Sequence, residues 1–509
     1  MIRHPGSSPD APLNRPTTAP RKRRIGRLGA VLLVALMPGL VHGQEPSALQ
    51  VAAAMEDVLA EAIARAERSV VAIARVEKTP SSETLNLEVR PDPFGGRSIP
   101  YSVRPTDPDF IPNEYATGVV VDRQGLILTA YHVLEEESDY YVTTHDRRVF
   151  LASVKGADPR SDLAVLAVQA TDLEPITLGD ATTLKKGQFV IALGNPYAIA
   201  RDGQVSASWG IVANLARKAA PLPDETHPTG RSKSTLHHFG TLIQTDAKLN
   251  LGTSGGPLLN LKGEMVGLTT SLAATAGYEQ SAGYAFPVDE TFRRVLEALK
   301  LGREVEYGFL GIAPVNLRPE AAASGTRGVL IERVVPGMPG ERFGVQPGDV
   351  VTTVNGRPIF DADGLMLEVG RLPVESVVRL GVIRDQKRLE LEVGLTKLNV
   401  GGKRIVTDPE PAWRGMQVDY PSAALEPFSR ESLAGLSFDD GVIVTDVEEG
   451  SPTWEAGLRA GMLVSHVGRR EIHKPREFHE AVSSKTGPVQ LRLADLDGQT
   501  PPQAVVQGS

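Results

Sequence analysis

The chain has 509 residues, with 62 acidic against 54 basic side chains, 50 glycines, 38 prolines and no cysteine. This length exceeds one hydrophobic core and suits about three or four units, while 5% aromatic content among so many glycines and prolines points to turn-rich β architecture. A formal charge of -8 argues against nucleic-acid or anionic-membrane partners, and the lack of cysteine excludes disulfides, thiol catalysis and cysteine-ligated metals.

Residues 1–43 read as a signal peptide. Arg21-Lys22-Arg23-Arg24 precedes an apolar run from Leu28 to Val41, about 14 residues against the roughly 20 needed to span a bilayer. Val41-His42-Gly43 offers small residues for cleavage. Export with cleavage is the reading, and anchoring by the uncleaved segment is the alternative. Cleavage removes seven Lys/Arg and one Asp and takes the formal charge from -8 to -14. Residues 44–68 form a helical segment: Ala48 to Arg68 carries helical periodicity without glycine or proline, and is expected to pack on the following domain or on neighbouring chains. From Lys78 to Tyr115 the composition turns to Pro, Gly, Ser and charge, which predicts a long loop between early strands.

The stretch from Gly118 to Thr129 reads as two apolar strands around a polar turn, and it delivers Ala130-Tyr131-His132 at its end. Asp158-Pro159-Arg160-Ser161-Asp162 then leads into the apolar run Leu163 to Val168. Asp162 touches the strand start, whereas Asp158, before proline, reads as a turn residue. A second insertion runs from Ala219 to His238. Its histidines His227, His237 and His238 lack metal-ligand spacing and read as solvated loop residues. Beyond it stands Gly252-Thr253-Ser254-Gly255-Gly256-Pro257. Glycines around a serine let the backbone turn tightly and bring amide N–H groups close to a reacting carbonyl. The order His132, Asp162, Ser254 is that of a chymotrypsin-type triad. Ser254 attacks, His132 shuttles the proton, Asp162 fixes the imidazole, and the N–H groups of Gly252 and Ser254 form the oxyanion hole.

At these residues the chain resembles the HtrA (DegP-like) family of exported serine proteases. The resemblance extends through Ser69-Val70-Val71-Ala72-Ile73, Leu178-Gly179-Asp180, Gly194-Asn195-Pro196-Tyr197, Gly210-Ile211-Val212, Ile243-Gln244-Thr245-Asp246-Ala247 and Gly283-Tyr284-Ala285-Phe286-Pro287-Val288. It implies a multidomain, mainly β chain: a chymotrypsin-like double β-barrel protease over 69–300, followed by two PDZ-like α+β modules. It further implies cleavage of unfolded proteins without a cofactor or metal, and a homo-oligomer built of trimers. The chain departs from the family in having Thr253 before the nucleophile and Ala130-Tyr131 before the histidine. At the base of the specificity pocket Lys248 stands where trypsin has an acid, so cleavage after Arg or Lys would oppose like charges. Leu249 predicts an apolar pocket for small or medium aliphatic residues.

The second half repeats. Gly328, Gly337, Pro339, Gly344 and Gly348 recur 113 residues later as Gly441, Gly450, Pro452, Gly457 and Gly461. Both copies resemble the PDZ fold, which binds a peptide C-terminus by adding it as a strand and holding its carboxylate on backbone N–H groups. The expected modules span 305–398 and 412–496, with a linker at 399–411 and a tail at 497–509. Phe309-Leu310-Gly311-Ile312 matches the carboxylate loop, and Leu365 and Val369, one helical turn apart, are expected to line the side-chain pocket. Pro314 removes one ladder donor from the adjoining strand. In the second copy Trp413-Arg414-Gly415-Met416 takes the loop role with Arg414 at an apolar position, leaving ligand capture and a structural role equally open. Two functions follow: an exported endopeptidase whose PDZ modules recruit unfolded substrates by their C-termini, or a protein-binding chaperone or scaffold with minor proteolysis.

Overall fold

The structure, a computed structural model, describes residues 47–78, 114–195, 203–223, 231–270, 282–320, 325, 327–424, 441–493 and 503–508. The segment 1–43, nearly all of the loop 78–115, Pro196, Tyr197 and His227 lie outside the described residues. Among the described residues no helix is long and apolar enough to cross a membrane.

Two β-barrels carry the first half. In the first, β1 (Val70–Glu77), β2 (Glu114–Val120), β3 (Leu126–Ala130), β4 (Ser138–Thr143), β5 (Val149–Asp158) and β6 (Leu163–Ala167) run in the order β5-β4-β1-β2-β3-β6 and close by β5–β6 pairing. In the second, β7 (Phe189–Gly194), β8 (Ser206–Arg217), β9 (Leu242–Thr245), β10 (Pro257–Leu259), β11 (Met265–Thr270) and β12 (Gly283–Pro287) close in the order β9-β12-β11-β10-β7-β8. Most of the strands are short and rich in valine, isoleucine and leucine, and left-handed glycines such as Gly125 and Gly263 close some of the turns between them. Val70, Leu128, Leu163 and Val165 from the first barrel meet Ile191, Leu193, Leu242 and Phe286 from the second in one buried cluster. Each side chain removed from water there contributes about 1.5–3 kcal/mol.

The helix Glu290–Leu301 starts at an Asp289 cap, whose carboxylate accepts from the Phe292 N–H at 2.9 Å, and ends at Gly302 with φ 76°. Its buried face of Phe292, Val295, Leu296 and Leu299 packs on the first barrel so closely that a Cβ on Gly156 would meet the Leu299 carbonyl at 2.8 Å. Helix Ala48–Ala66 likewise buries Ala62 and Ala66, and Gly263 leaves room for the Ala62 carbonyl.

Two modules follow, each with a core of its own. The first pairs Ile312–Asn316, Val329–Val334, Val350–Val354, Val377–Arg384 and Lys387–Gly394; the second pairs Met416–Asp419, Val442–Val447, Leu463–Val467, Val489–Leu493 and Gln503–Val506, in the same topology. The internal repeat has a backbone basis. Gly337, Gly344 and Gly348 have φ of 72°, 87° and 95°, and their counterparts Gly450, Gly457 and Gly461 have 79°, 87° and 91°. All six sit in the left-handed region that disfavours a Cβ.

Several boundaries differ from expectation. Glu114 and Tyr115 belong to β2 rather than to the long loop. Within the linker 399–411, Ile405–Val406 adds to the edge of β5 opposite Ala157 and Gly156. Unpaired β5 backbone is satisfied there, and the Thr407 hydroxyl donates to the Lys155 carbonyl at 2.6 Å. The tail 497–509 contains Gln503–Val506, which pairs with Val489–Leu493 and buries Ala504 and Val506 in the second module's core. The described parts of the insertion, 219–223 and 231–238, are also structured. Leu222–Pro223 pairs with Arg231–Ser232, and Leu236–Phe239 forms a short 3-10 helix anchored by buried Leu236 and Phe239. His237 and His238 are buried, not solvated, at 5% and 1% exposure.

Candidate active site

β3 ends at Ala130, so the single helical turn Tyr131–Val133 presents His132 at the rim of the first barrel. Asp162 lies in the turn between β5 and β6, almost fully buried, with φ 57°. Three bonds hold it there. The Tyr131 N–H donates to its carbonyl at 2.8 Å, the His132 N–H donates to Oδ1 at 2.9 Å, and Oδ2 meets His132 Nδ1 at 2.8 Å. The last contact makes Nδ1 the protonated nitrogen and leaves Nε2 as the acceptor. Burial alone lowers the His132 pKa, but the charge and hydrogen bond of Asp162, with the charge of Glu114, raise it above its ordinary value.

Ser254 arrives from the second barrel, between β9 and β10. Thr117 of β2, which the sequence reading did not single out, ties its loop to the first barrel. The Thr117 N–H donates to the Ser254 carbonyl at 2.9 Å, its hydroxyl donates to the Gly252 carbonyl at 2.7 Å, and the Asn195 N–H donates to that hydroxyl at 2.9 Å. Gly255, at φ 86°, lies so close that a Cβ would stand 2.1 Å from the Thr117 carbonyl and 3.3 Å from the Ala130 nitrogen, two residues before His132. The serine loop and the His–Asp pair are thereby drawn to the same seam between barrels. Gly252 has φ 90°, and the Thr253 carbonyl is fixed by the Thr269 hydroxyl at 2.6 Å and the Gly256 N–H at 3.0 Å. Leu249 is half-buried beside Gly283, where a Cβ would approach it to 2.8 Å. Lys248 is exposed, and its carbonyl accepts from the Ser208 hydroxyl.

The turn that carries Asp162 is buttressed from below. Asp158 is buried, and its Oδ2 accepts from the Ser161 N–H, the Ser161 hydroxyl and the Tyr307 hydroxyl at 2.8, 2.5 and 2.5 Å. Burial pushes its pKa up against those bonds. Asp158 thus belongs to a buried network, a larger part than a turn residue plays. His237 Nε2–H donates to the Ser161 carbonyl at 2.8 Å, its Nδ1 accepts from Thr241, and its ring stacks on Phe286. Burial lowers its pKa to about 4, so it stands neutral.

Residues 116–268 match the trypsin-like peptidase domain family and residues 308–395 match the PDZ domain family. The chain is 30% identical over 470 residues to a probable periplasmic serine endoprotease DegP-like of Pseudomonas fluorescens, covering 89% of this chain and 94% of the relative. It is 31% identical over 372 residues to another of that description from Hahella chejuensis, covering 72% and 74%. To periplasmic serine endoprotease DegP of Escherichia coli it is 29% identical over 383 residues, covering 74% and 73%. The chain belongs to the DegP-like serine endoproteases. This chain has a trypsin-like barrel pair followed by PDZ modules, and the fold expected from the motifs stands.

In this DegP-like chain all six residues expected at the first PDZ groove line one cleft: Phe309, Leu310, Gly311, Ile312, Leu365 and Val369. Gly311 has φ 73°, and a Cβ on it would fall 2.2 Å from the Met338 side chain. Pro314 sits at a register shift opposite Ile331, so its missing donor coincides with an irregular ladder. In the second module Gly415, with φ 85°, approaches Ser451, the repeat counterpart of Met338. Arg414 there donates to the carbonyls of Val506, Gln507, Lys485 and Gly487 at 2.7–3.0 Å, so its guanidinium clamps the C-terminal strand. That arrangement favours the structural role.

Proposed function

We propose that this chain is an exported serine endopeptidase that degrades unfolded proteins, with Ser254 as nucleophile, His132 as general base and acid, Asp162 as the imidazole-orienting acid, and the N–H groups of Gly252 and Ser254 as oxyanion donors. The carrying observation is the His132–Asp162 contact at 2.8 Å beside a serine loop pinned to the same seam through Thr117. On this reading His132 removes the Ser254 proton as the oxygen attacks the scissile carbonyl and then returns it to the leaving amine, while Asp162 stabilises the imidazolium. Half-buried Leu249 supports cleavage after small or medium aliphatic residues. The relatives' description as periplasmic supports export, with residues 1–43 as the signal. The first PDZ cleft recruits exposed C-termini by strand addition, and the family resemblance supports a trimer or its multiples.

Casein digestion by the mature protein tests this. Ser254→Ala is expected to reduce turnover by about a thousandfold or more. If wild type and Ser254→Ala are equally inert under heat and peptide activation while both suppress aggregation, the chaperone reading holds instead.

A further inference from the structure

Arg160 belongs to the turn that carries Asp162, yet its side chain lines the first PDZ cleft together with Gly308 to Ile312, Leu365 and Val369. It is only 7% exposed. Its guanidinium lies over Phe239 at 5.1 Å, and Nη1 donates to the Ser234 carbonyl at 2.9 Å. Its buried Nε has no partner. Nη2 lies 3.8 Å from where a Cβ on Gly370 would stand, at the C-terminal end of the helix Ala362–Gly370 that supplies Leu365 and Val369. Among the described residues no carboxylate forms an ion pair with it; Asp158, on the same turn, directs its bonded oxygen to Ser161 and Tyr307.

Burying a guanidinium costs several kcal/mol unless an anion and further hydrogen bonds compensate it. One carbonyl, one ring face and the nearby charge of Asp158, whose Oδ1 makes no hydrogen bond, offset only part of that cost. A further acceptor near Nη2 would complete the compensation, and a peptide added beside Ile312–Asn316 would bring its terminal carboxylate to the Phe309–Ile312 loop at this end of the cleft.

We propose that Arg160, a residue of the protease barrel, is the charged partner of the peptide carboxylate in the first PDZ cleft, so that the barrel completes the ligand site. The inference rests on the PDZ cleft being a C-terminus receptor. It makes the site specific for a free carboxylate, with Arg160 supplying a planar donor set beside the loop N–H groups. It also makes ligand binding depend on the docking of two domains, since neither alone holds both the loop and the cation.

The test uses the full mature chain and a short labelled peptide ending in two valines, made with a free carboxylate and as the C-terminal amide. Wild type is expected to bind the free carboxylate far more tightly, by about thirtyfold or more, as for a buried charge pair. Arg160→Met keeps the stem and removes a buried charge, so folding is expected to persist. It should bind the two peptides almost equally, with the amide unaffected, whereas Arg160→Lys should restore part of the discrimination. If Arg160→Met discriminates as wild type does, the assignment is overturned and the loop alone reads the carboxylate. If wild type binds neither peptide, the cleft's role as a receptor falls, and the assignment with it.

Discussion

Asp162 is the residue whose backbone departs furthest from preference in the candidate site. A left-handed conformation costs a side-chain-bearing residue about 1–2 kcal/mol, although Asp tolerates it better than most. The turn sustains it with the bonds from Tyr131 and His132, and in exchange both carboxylate oxygens face one histidine. The raised His132 pKa then sets a pH dependence. A general base must be neutral, and a raised pKa keeps His132 protonated to higher pH. The acid limb of kcat/KM is therefore expected above 6.5, the ordinary histidine value. A pH profile with peptide substrate measures it, and an inflection at or below that value contradicts the derived electrostatics. At this scale the three catalytic candidates were legible because acyl transfer admits few residue types in few orders. Thr117 and His237 were not, since their partners lie 135 and 76 residues away and no local pattern announces such a contact.

At the scale of elements, apolar runs bounded by turns revealed the barrel strands, and the 113-residue spacing revealed two copies of one module. Very short strands escaped. Ile405–Val406 offers two residues and Gln503–Val506 offers four, too few for a period to show. Their pairing is decided by available edges elsewhere. The C-terminal strand carries a measurable share of stability: it buries Ala504 and Val506, and residues 506 and 507 provide two of the four carbonyls that satisfy Arg414. A chain ending before Gln503 is expected to lose on the order of 3 kcal/mol in the second module, with the barrels unaffected. Hydrogen exchange would show early opening confined to residues 412–493. Unchanged protection there would mean that the strand is dispensable.

Across the whole molecule, domain content was readable and domain docking was not, because docking depends on side chains that look like ordinary surface. Lys218 reaches Asp361 and Asp363 at 2.9 and 2.8 Å, and Lys233 reaches Asp363 at 2.7 Å, joining the second barrel to the start of the first PDZ helix. These groups are partly exposed, so each pair contributes about 1 kcal/mol or less and is screened by salt. Buried Leu236, Tyr307 and Leu367 carry the rest of the contact. Replacing both lysines with alanine is therefore expected to raise exchange in 362–370 by no more than about a hundredfold, without releasing the module. Complete loss of protection would show that the charges, not the apolar contact, hold the domains together.

The two-residue strand Ile405–Val406 also sets a leash. Because the chain is stitched to β5 there, the second module hangs from Thr407 rather than from Val400, and the stretch Asp408 to Trp413 can extend only about 20 Å. The first residues of that module must therefore stay within this radius of the first barrel's outer wall.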